Sequence, residues 1–196
     1  MKNLAERHSN LTLHELDVAN EGSIQKLAAT LGGKPIDILL HNSGIYPRKG
    51  LKIGEIDYES WRETLDTNLF GVMRLTEALL GNVEASERKQ IAAISTGLSS
   101  LRGVEGGSVA QAGTLYQYRT SKTALNMALS ILAKELEPRG ISVAIIDPGW
   151  VKTDMGGPHA QLTPEQSIEG IRKVLARNPK EISGKFLGYD GGARPW

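Results

Sequence analysis

Two side chains near the middle of the chain could exchange a proton with a bound substrate. Tyr118 and Lys122 stand four positions apart, so a helix would place the phenol and the ammonium on one face. A free tyrosine has a pKa near ~10, and a neighbouring ammonium lowers that pKa because it favours the phenolate. The pair is therefore predicted to donate or accept a proton. Taken alone, a Tyr-x-x-x-Lys pair more often belongs to an exposed helix face.

Apolar residues continue the helix face that begins with this pair. Leucines follow at helical spacing, so the face is predicted to point inward: Leu125, Leu129, Leu132 and Leu136. A phenol and an ammonium at the end of a buried stripe each need a partner or a ligand, because an unpaired buried charge is costly. Lowering the pKa of the phenol to neutral pH would take a shift of roughly three units, or about 4 kcal/mol. A shift of that size requires a second cation beside the lysine.

Other polar residues lie where predicted strands end. Short apolar runs indicate strands over 11–18, 36–40, 91–94, 141–146 and 185–189, and the run 36–40 is predicted to be buried on both faces. The polar or turn-forming residues at the ends of the first four strands are Asp17, Asn42-Ser43-Gly44, Ser95-Thr96 and Pro148-Gly149. Ligands bind beyond the carboxyl ends of parallel strands, so these residues are predicted to meet at one site.

Helical patterns separate the strands. One helix is predicted from an Asp57 cap to about Leu80, with Asn68 at the margin of its buried stripe, where the amide must be hydrogen-bonded. Another follows a Thr163 cap and carries four apolar residues on one side: Ile168, Ile171, Val174 and Leu175. The alternation predicts an α/β fold with a parallel sheet covered on both faces.

The chain is predicted to form one domain over residues 1–196, because its length suits a single core. Residues 151–178 are predicted to form a mobile substrate flap and the helix that follows it, since glycines and a proline break regular structure at 156–158.

Composition narrows the classes of function. Basic and acidic residues number 23 and 22, which gives no electrostatic case for binding nucleic acid or an anionic membrane. The chain has no cysteine, and its histidines show no metal-ligand spacing, so no metal site is predicted and a metal-dependent hydrolase is a poor candidate: His8, His14, His41 and His159. No run approaches the roughly 18 apolar residues of a membrane span, and a cytoplasmic location is the expectation.

These motifs, in this order, resemble those of the short-chain dehydrogenase/reductase family. The series begins with Asp17-Val18, His41-Asn42-Ser43-Gly44 in place of the usual Asn-Asn-Ala-Gly, and Asn68 within Asn-Leu-Phe-Gly. It ends with a strand-end hydroxyl, the Tyr118 and Lys122 pair, and Pro148-Gly149-Trp150-Val151-Lys152-Thr153-Asp154. More narrowly, the stretch after Tyr118 and the ending Tyr189-Asp190-Gly191-Gly192 with Trp196 resemble the C-factor and sniffer-like carbonyl reductases.

The resemblance implies a Rossmann-like, doubly wound parallel sheet and a role for each motif. Tyr118 would pass a proton to a carbonyl oxygen as hydride arrives from NAD or NADP, and Lys122 would hold the nicotinamide ribose. Asn68 would hold a water that resupplies protons through Lys122. The other cofactor contacts would be Asp17 and Val18 at the adenine, Asn42, Ser43 and Gly44 at the adenosine ribose, Pro148, Gly149 and Val151 at the carboxamide, and Thr153 near the diphosphate.

Two departures from the family pattern change the expectations. The family serine falls on the second residue of the strand-end pair, which is Thr96 here, while Ser95 stands one earlier. Successive strand residues point to opposite faces, so only one of them can reach Tyr118; the alignment favours Thr96 and leaves Ser95 open. The family's glycine-rich turn Gly-x-x-x-Gly-x-Gly does not occur in the sequence. The sheet is therefore predicted to lack the first strand-helix-strand unit, leaving two strand edges exposed.

The first functional hypothesis is an NAD(P)-dependent oxidoreductase that reduces a carbonyl or oxidises an alcohol on a small apolar molecule. The second is a remnant of the family that binds no cofactor, and that serves as a binding or regulatory partner or has no function. The resemblance also implies a homo-oligomer through the helices that begin near Tyr58 and Tyr116, although the sniffer-like branch includes monomers as well. The sequence chooses neither the substrate nor between NAD and NADP.

Overall fold

A computed structural model describes residues 2–47, 52–108 and 113–196 of the chain. Residues 48–51 and 109–112, which belong to the predicted loops after Gly44 and Gly97, lie outside these ranges. In chain order the helices are α1 (Lys2–Arg7), α2 (Glu21–Leu31), α3 (Tyr58–Leu65), α4 (Gly71–Glu84), α5 (Leu101–Glu105), α6 (Tyr116–Leu136), α7 (Pro164–Leu175) and α8 (Pro179–Ile182). The strands are β1 (Ile38–His41), β2 (Gln90–Ile94), β3 (Ser142–Asp147) and β4 (Phe186–Gly188).

The strands form one parallel sheet in the order β1-β2-β3-β4, which confirms the predicted α/β fold. Each neighbouring pair along the chain is joined through helices, as parallel strands require. Because all strands run in one direction, His41, Ile94, Asp147 and Gly188 end at the same edge of the sheet. That edge carries the candidate site.

Alternating strand residues feed two apolar layers. Ile91 on β2 lies beside Val143 on β3, and both pack toward α2, α4 and α6. Ala92 lies beside Ala144, and both pack toward α7 and α8 on the opposite face. This period of two is what a strand produces, and it explains why the central strands are apolar at every position.

The long helix predicted from Tyr58 to about Leu80 forms, but it is not continuous. Asp57 caps it, with its carboxylate accepting from the backbone N–H of Glu59 and Ser60. A π-helical turn over Asp66–Phe70 then separates α3 from α4, and the helix ends four residues later than predicted, at Glu84. The widened turn leaves Asn68 completely buried rather than at the margin of the stripe.

Three sequence predictions are wrong at the outer parts of the fold. Residues 11–18 form no strand, and Leu11 and Leu13 are exposed, because within the described residues no strand lies beside them to complete a ladder. β1 is therefore an edge strand that is not buried on both faces, and its Leu40 is 41% exposed. The second exposed edge was predicted on the strand over 11–18, and it does not arise because that strand does not form. The apolar side predicted for α7 is partly buried: Ile168 is 51% exposed, whereas the other three apolar residues of that side are buried.

The remaining predicted features position the carboxyl edge. All six residues of the Tyr118 face on α6 are buried, which confirms the inward stripe. The predicted capping box of Thr163 and Gln166 begins α7. Residues 151–162 leave the sheet edge as a loop whose base is closed by a bridge between Val151 and Leu162. Within the described residues, no helix is long and apolar enough to span a bilayer.

Candidate active site

Tyr118 lies in the first turn of α6, beyond the end of β2. Its hydroxyl is hydrogen-bonded to the side chain of Thr96, and its ring lies 4.9 Å from that of Tyr46, tilted by 59°. Two rings at this distance and tilt make a favourable contact that fixes both of them. The phenol is thus held with its oxygen toward the strand-end hydroxyl.

Burial, and not the lysine, governs the acidity of this phenol. Loss of hydration raises the pKa of Tyr118 to about 12, the hydrogen bond from Thr96 opposes that rise, and electrostatic interaction with Tyr46 and with the Asp147 carboxylate adds to it. The expectation that Lys122 lowers this pKa is therefore not met. The reason is geometric, because the Lys122 ammonium points to the end of β2. At neutral pH the phenol consequently carries its proton.

Lys122 is a buried cation, only 4% exposed. Its Nζ donates a hydrogen bond of 2.8 Å to the carbonyl oxygen of Ile94, and burial lowers its pKa from 10.5 to about 8. An ammonium has three N–H donors, so this bond leaves donor capacity for a hydroxyl-bearing ligand. Gly44 lies close against this ammonium, since a Cβ added there would lie 3.5 Å from Nζ and 3.3 Å from Asn68 Oδ1.

The two strand-end hydroxyls face different partners, as the alternation of a strand requires. Thr96 meets Tyr118, and its Oγ1 also accepts from the backbone N–H of Leu98 at 3.2 Å. Ser95 is buried and donates to Asn126 Oδ1 at 2.5 Å, while Asn126 Nδ2 donates to Ser99 Oγ at 2.8 Å. Thr96 is therefore the hydroxyl placed at the phenol, and Ser95 belongs to the support behind it.

Asn68 ties three parts of the site together. Its Oδ1 accepts from the backbone N–H of Ile45 at 2.8 Å, and its Nδ2 donates to the Ile45 carbonyl and to Ser121 Oγ, each at 3.0 Å. This confirms that the buried amide must be hydrogen-bonded. By holding Ile45 it also places Tyr46, the next residue, against helix α6.

His41 occupies the end of β1, where it is buried. Burial, with a smaller contribution from the nearby Lys122 charge, lowers the pKa of His41 from 6.5 to about 4. Its Nε2 lies 2.9 Å from Thr76 Oγ1, and Thr76 itself donates to the carbonyl of Val72. Because the threonine hydrogen is used there, Nε2 of a neutral imidazole must be the donor to Thr76.

The residues assigned to the adenosine part of the cofactor lie apart from this cluster. Asp17, Asn42 and Ser43 are exposed, and the Asp17 carboxylate accepts only from the nearby Ala19 backbone among its recorded side-chain bonds. Val18 is buried and packs so closely on α4 that a Cβ on Gly71 would approach its carbonyl oxygen to 2.7 Å. Gly71, the glycine of the Asn-Leu-Phe-Gly motif, is therefore needed because Val18 leaves no space for a side chain there.

The turn after β3 is closely packed. Gly149 has a φ of +75°, and a Cβ there would lie 2.6 Å from Leu162 and 2.9 Å from the Tyr189 ring, so glycine is required on both counts. The Pro148 carbonyl accepts from Ser167 Oγ at 2.8 Å. Thr153 Oγ1 accepts from the N–H of Gly156 at 3.1 Å, which places it in the exposed loop rather than in the phenol cluster.

Comparison with known proteins agrees with this arrangement of motifs. The family model described as short chain dehydrogenase matches residues 1–162. The chain belongs to the short-chain dehydrogenase family. Its oxidoreductase relatives include the 1-hydroxy-2-glutathionyl-2-methyl-3-butene dehydrogenase of Rhodococcus sp. (strain AD45), 30% identical over 187 residues that cover 92% of this chain and 78% of that protein. C-signal of Myxococcus xanthus is 35% identical over 165 residues, 83% of this chain and 93% of that protein.

Solved structures of the family superpose on the whole chain. The carbonyl reductase Sniffer of D. melanogaster has a TM-score of 0.90 and 31% identity, with 100% of this chain and 82% of Sniffer covered. The NADPH-bound carbonyl reductase from chicken fatty liver has a TM-score of 0.91 and 30% identity, with 100% and 81% covered. The short-chain dehydrogenase fold and the carbonyl reductase branch predicted from the motifs are therefore confirmed.

Sequence reasoning missed the supporting residues of the cluster. Asn126 repeats the spacing of Tyr118 and Lys122 by another four positions, so the helical period could have found it. Tyr46 carried no usable signal, because a loop residue reaches its partner only through the fold.

Proposed function

We propose that this chain is an NAD(P)-dependent carbonyl reductase that uses Tyr118 as its proton donor. The observation that carries the proposal is the hydrogen-bonded pair of hydroxyls, Tyr118 and Thr96, next to the buried Lys122 ammonium. The raised pKa of the phenol means that it holds a proton at neutral pH, as a general acid must. The same groups run in reverse would oxidise an alcohol.

The residues present fit a nicotinamide cofactor at its reactive end. When bound, a reduced nicotinamide supplies the hydride that adds to the carbonyl carbon. Lys122 would hold ribose hydroxyls with its remaining N–H groups, and Gly44 lies next to that ammonium. The backbone of Pro148, Gly149 and Val151 would meet the carboxamide, and Asp17, Val18, Asn42 and Ser43 would border the adenosine, with Thr153 near the diphosphate.

The chemical step then needs two contributions from this chain. Thr96 and Tyr118 together hold the substrate carbonyl oxygen by hydrogen bonds, which orients the carbonyl carbon toward the cofactor. As that carbon gains a hydride, its oxygen gains the Tyr118 proton, and the product is an alcohol. A water held near Asn68 and Lys122 would return a proton to the phenolate that remains.

Tyr118→Phe tests the catalytic proposal, with Tyr116→Phe as the matched control on the same turn of α6. Reduction of a panel of small apolar aldehydes and ketones is followed by NADPH oxidation. Tyr118→Phe should lower kcat/KM by at least about 10³-fold, since general acid catalysis contributes roughly 10²–10⁴-fold. Tyr116→Phe should keep most of the activity. Normal turnover by Tyr118→Phe would refute the assignment.

A second candidate function is a binding or regulatory role without catalysis. It is supported by the similarity to C-signal, which the match covers over 93% of its length. Titrating this chain with NADPH, followed by nicotinamide fluorescence, separates the two candidates. Saturable binding in the micromolar range supports the reductase, and no binding at millimolar NADPH supports the second role.

Residues 151–178 are proposed to cover the bound substrate. The loop is held at its base, where Lys152 N donates to the Leu162 carbonyl at 2.8 Å, whereas Gly157 N donates to the Thr153 carbonyl within the loop. Hydrogen exchange of residues 152–161 should slow when NADPH and substrate are added together. Unchanged exchange would argue against a covering role.

Self-association is proposed through the outer surface of α3 and α6. Tyr58, Met127 and Ile131 are all more than half exposed there. The two helices adjoin, since Trp61 Nε1 donates to Thr120 Oγ1 at 2.9 Å. Sedimentation velocity should show a dimer or larger assembly that Ile131→Glu dissociates, and a monomer at all concentrations would refute it.

A further inference from the structure

One carboxylate oxygen at the end of β3 holds two turns of the proposed site. Oδ1 of Asp147 accepts from the backbone N–H of Gly97 at 3.1 Å and from that of Gly149 at 3.2 Å. Gly97 directly follows Thr96, and Gly149 lies in the turn proposed to meet the carboxamide. The same oxygen therefore fixes the distance between the strand-end hydroxyl and the cofactor turn.

The other carboxylate oxygen is held by an arginine from the last part of the chain. Arg194 Nε donates to Asp147 Oδ2 at 3.0 Å, and Arg194 Nη2 lies 3.2 Å from Asp190 Oδ1. Arg194 reaches this place because the chain turns back after β4, with its backbone N–H donating to the Phe186 carbonyl at 2.8 Å. Gly188 leaves room, since a Cβ there would collide with the guanidinium.

Burial makes the two ion pairs of Arg194 unequal. The Asp147 side chain is 11% exposed, whereas that of Asp190 is 50% exposed. A charge-assisted hydrogen bond is stronger where water is excluded, and an exposed pair contributes little. Arg194 therefore makes its stronger ion pair with Asp147. Asp190 pairs with the same arginine in an exposed position and can serve as a control residue.

A second connection from the same segment reaches the far side of the Gly97 turn. The carbonyl of Trp196 accepts from the N–H of Arg102 at 3.0 Å and from Ser100 Oγ at 3.2 Å. The Trp196 ring is anchored 5.6 Å from the Phe186 ring on β4. Residues 194–196 thus support the Gly97 turn at two places: Arg194 through Asp147, and Trp196 at the start of helix α5.

We propose that Asp147 and Arg194 are positioning residues that set the Thr96 hydroxyl and the Gly149 turn in register for the reaction. The inference rests on the proposed reductase function and extends it to residues that touch neither substrate nor cofactor. It predicts that the two amides lose protection together when the carboxylate is removed. It also predicts that the effect on catalysis falls on kcat as well as on cofactor binding, because a misplacement of about 1 Å can cost about 10²-fold in rate.

The test compares Asp147→Ala, Asp147→Asn and Asp190→Asn in this chain. Amide hydrogen exchange is measured by NMR at Gly97, Gly149 and, as a reference in the core of β3, Ile145. Asp147→Ala should speed exchange at both glycines by at least about tenfold, which corresponds to about 1.4 kcal/mol per tenfold, and leave Ile145 unchanged. Asp147→Asn retains an acceptor oxygen and should fall between Asp147→Ala and the unaltered chain. Asp190→Asn should change neither glycine.

Kinetics with NADPH and an aldehyde complete the test. Asp147→Ala should lower kcat by about 10²-fold and raise the KM for NADPH, with Asp147→Asn partly restoring both, while Asp190→Asn stays within about twofold. Unchanged exchange at the two glycines, equal acceleration at Ile145, or an equal loss in Asp190→Asn would overturn the inference. The exchange readout needs no activity, so failure of the reductase proposal and failure of this one are distinguishable.

Discussion

The two sides of the sheet edge differ in how firmly the fold holds their polar residues. Around β2, β3 and α6, the Tyr118, Lys122 and Ser95 side chains are buried and each is hydrogen-bonded. On the side of β1, Asp17 and Asn42 are exposed and lie on irregular chain. Both sides carry motifs that resemble those of the family. The difference shows that a match to a family motif does not indicate whether a binding region is preorganised. Support by neighbouring strands and helices is what indicates it.

The contrast follows from where the sheet ends. The ends of β2 and β3 each have a strand on both sides and helix α6 above, so strand-end groups can be fixed from several directions. β1 has only β2 beside it within the described residues. A rigid site needs support from more than one element. The side that carries Tyr118 and Lys122, the proposed catalytic side, has such support. The side that carries Asp17 and Asn42, the proposed adenosine side, lacks it.

Removing the buried ammonium should break the catalytic side most severely. Lys122→Met is expected to lower kcat/KM by about 10³-fold, because the ribose loses its hydrogen-bond donor and the proton loses its return route through the ammonium. The exposed Lys134 on the same helix, changed to Met, is the matched control and should keep its activity. Retention of more than about a tenth of the activity by Lys122→Met would mean that the buried cation is dispensable.

Replacing one hydroxyl at a time should separate the two strand-end residues. Thr96→Val keeps the shape of the side chain and is expected to lower kcat by about 10²-fold, since it removes a donor to the substrate oxygen. Ser95→Ala should mainly lower the free energy of unfolding, by about 1–3 kcal/mol, because Asn126 Oδ1 loses its partner. Steady-state kinetics and urea unfolding measure the two effects. The opposite pattern would assign the catalytic hydroxyl to Ser95.

Acid should destabilise the protein through His41, which lies at the boundary between the two sides. The folded-state pKa of about 4 lies below the unfolded value near 6.5, so the unfolded chain binds the proton more readily between these values. The stabilisation is present above about pH 6.5 and is lost as the pH falls toward 4, by about 2 kcal/mol at pH 4.5. Urea unfolding between pH 7 and 4.5 should show this loss.

The variant His41→Asn, with the residue usual in the family, should reduce that acid sensitivity. The exposed His159, changed to Asn, serves as the control and should leave it in place. An identical pH profile for His41→Asn and the unaltered chain would show that the imidazole is not the group responsible.

The smallest effect is expected on the exposed side. Asp17→Asn should change the free energy of unfolding by no more than about 0.5 kcal/mol and the Kd for NADPH by about twofold, because its carboxylate lies in water. Calorimetric titration and urea unfolding measure both. A loss as large as that of Thr96→Val would show that the adenosine side becomes as ordered as the catalytic side once cofactor binds.

Local patterns predicted much of this molecule because their physical causes are local. The inward face of α6, the Asp57 cap and the capping box at Thr163 depend on residues within a turn or two, and all three form. The strand predicted at 11–18 fails for the opposite reason. Its apolar alternation is real, but a strand exists only by pairing, and pairing is a property of distant chain.

The sequence by itself determined the order of the four observed strands, the parallel α/β class and the family, because periodicity and ordered motifs are written in it. The tertiary structure decided between Thr96, which the alignment favoured, and Ser95 as the hydroxyl that meets Tyr118. It also decided that burial, and not Lys122, governs the acidity of the phenol, and that Arg194 reaches Asp147. Those outcomes depend on desolvation and on contacts between residues up to 47 positions apart, which no local pattern contains.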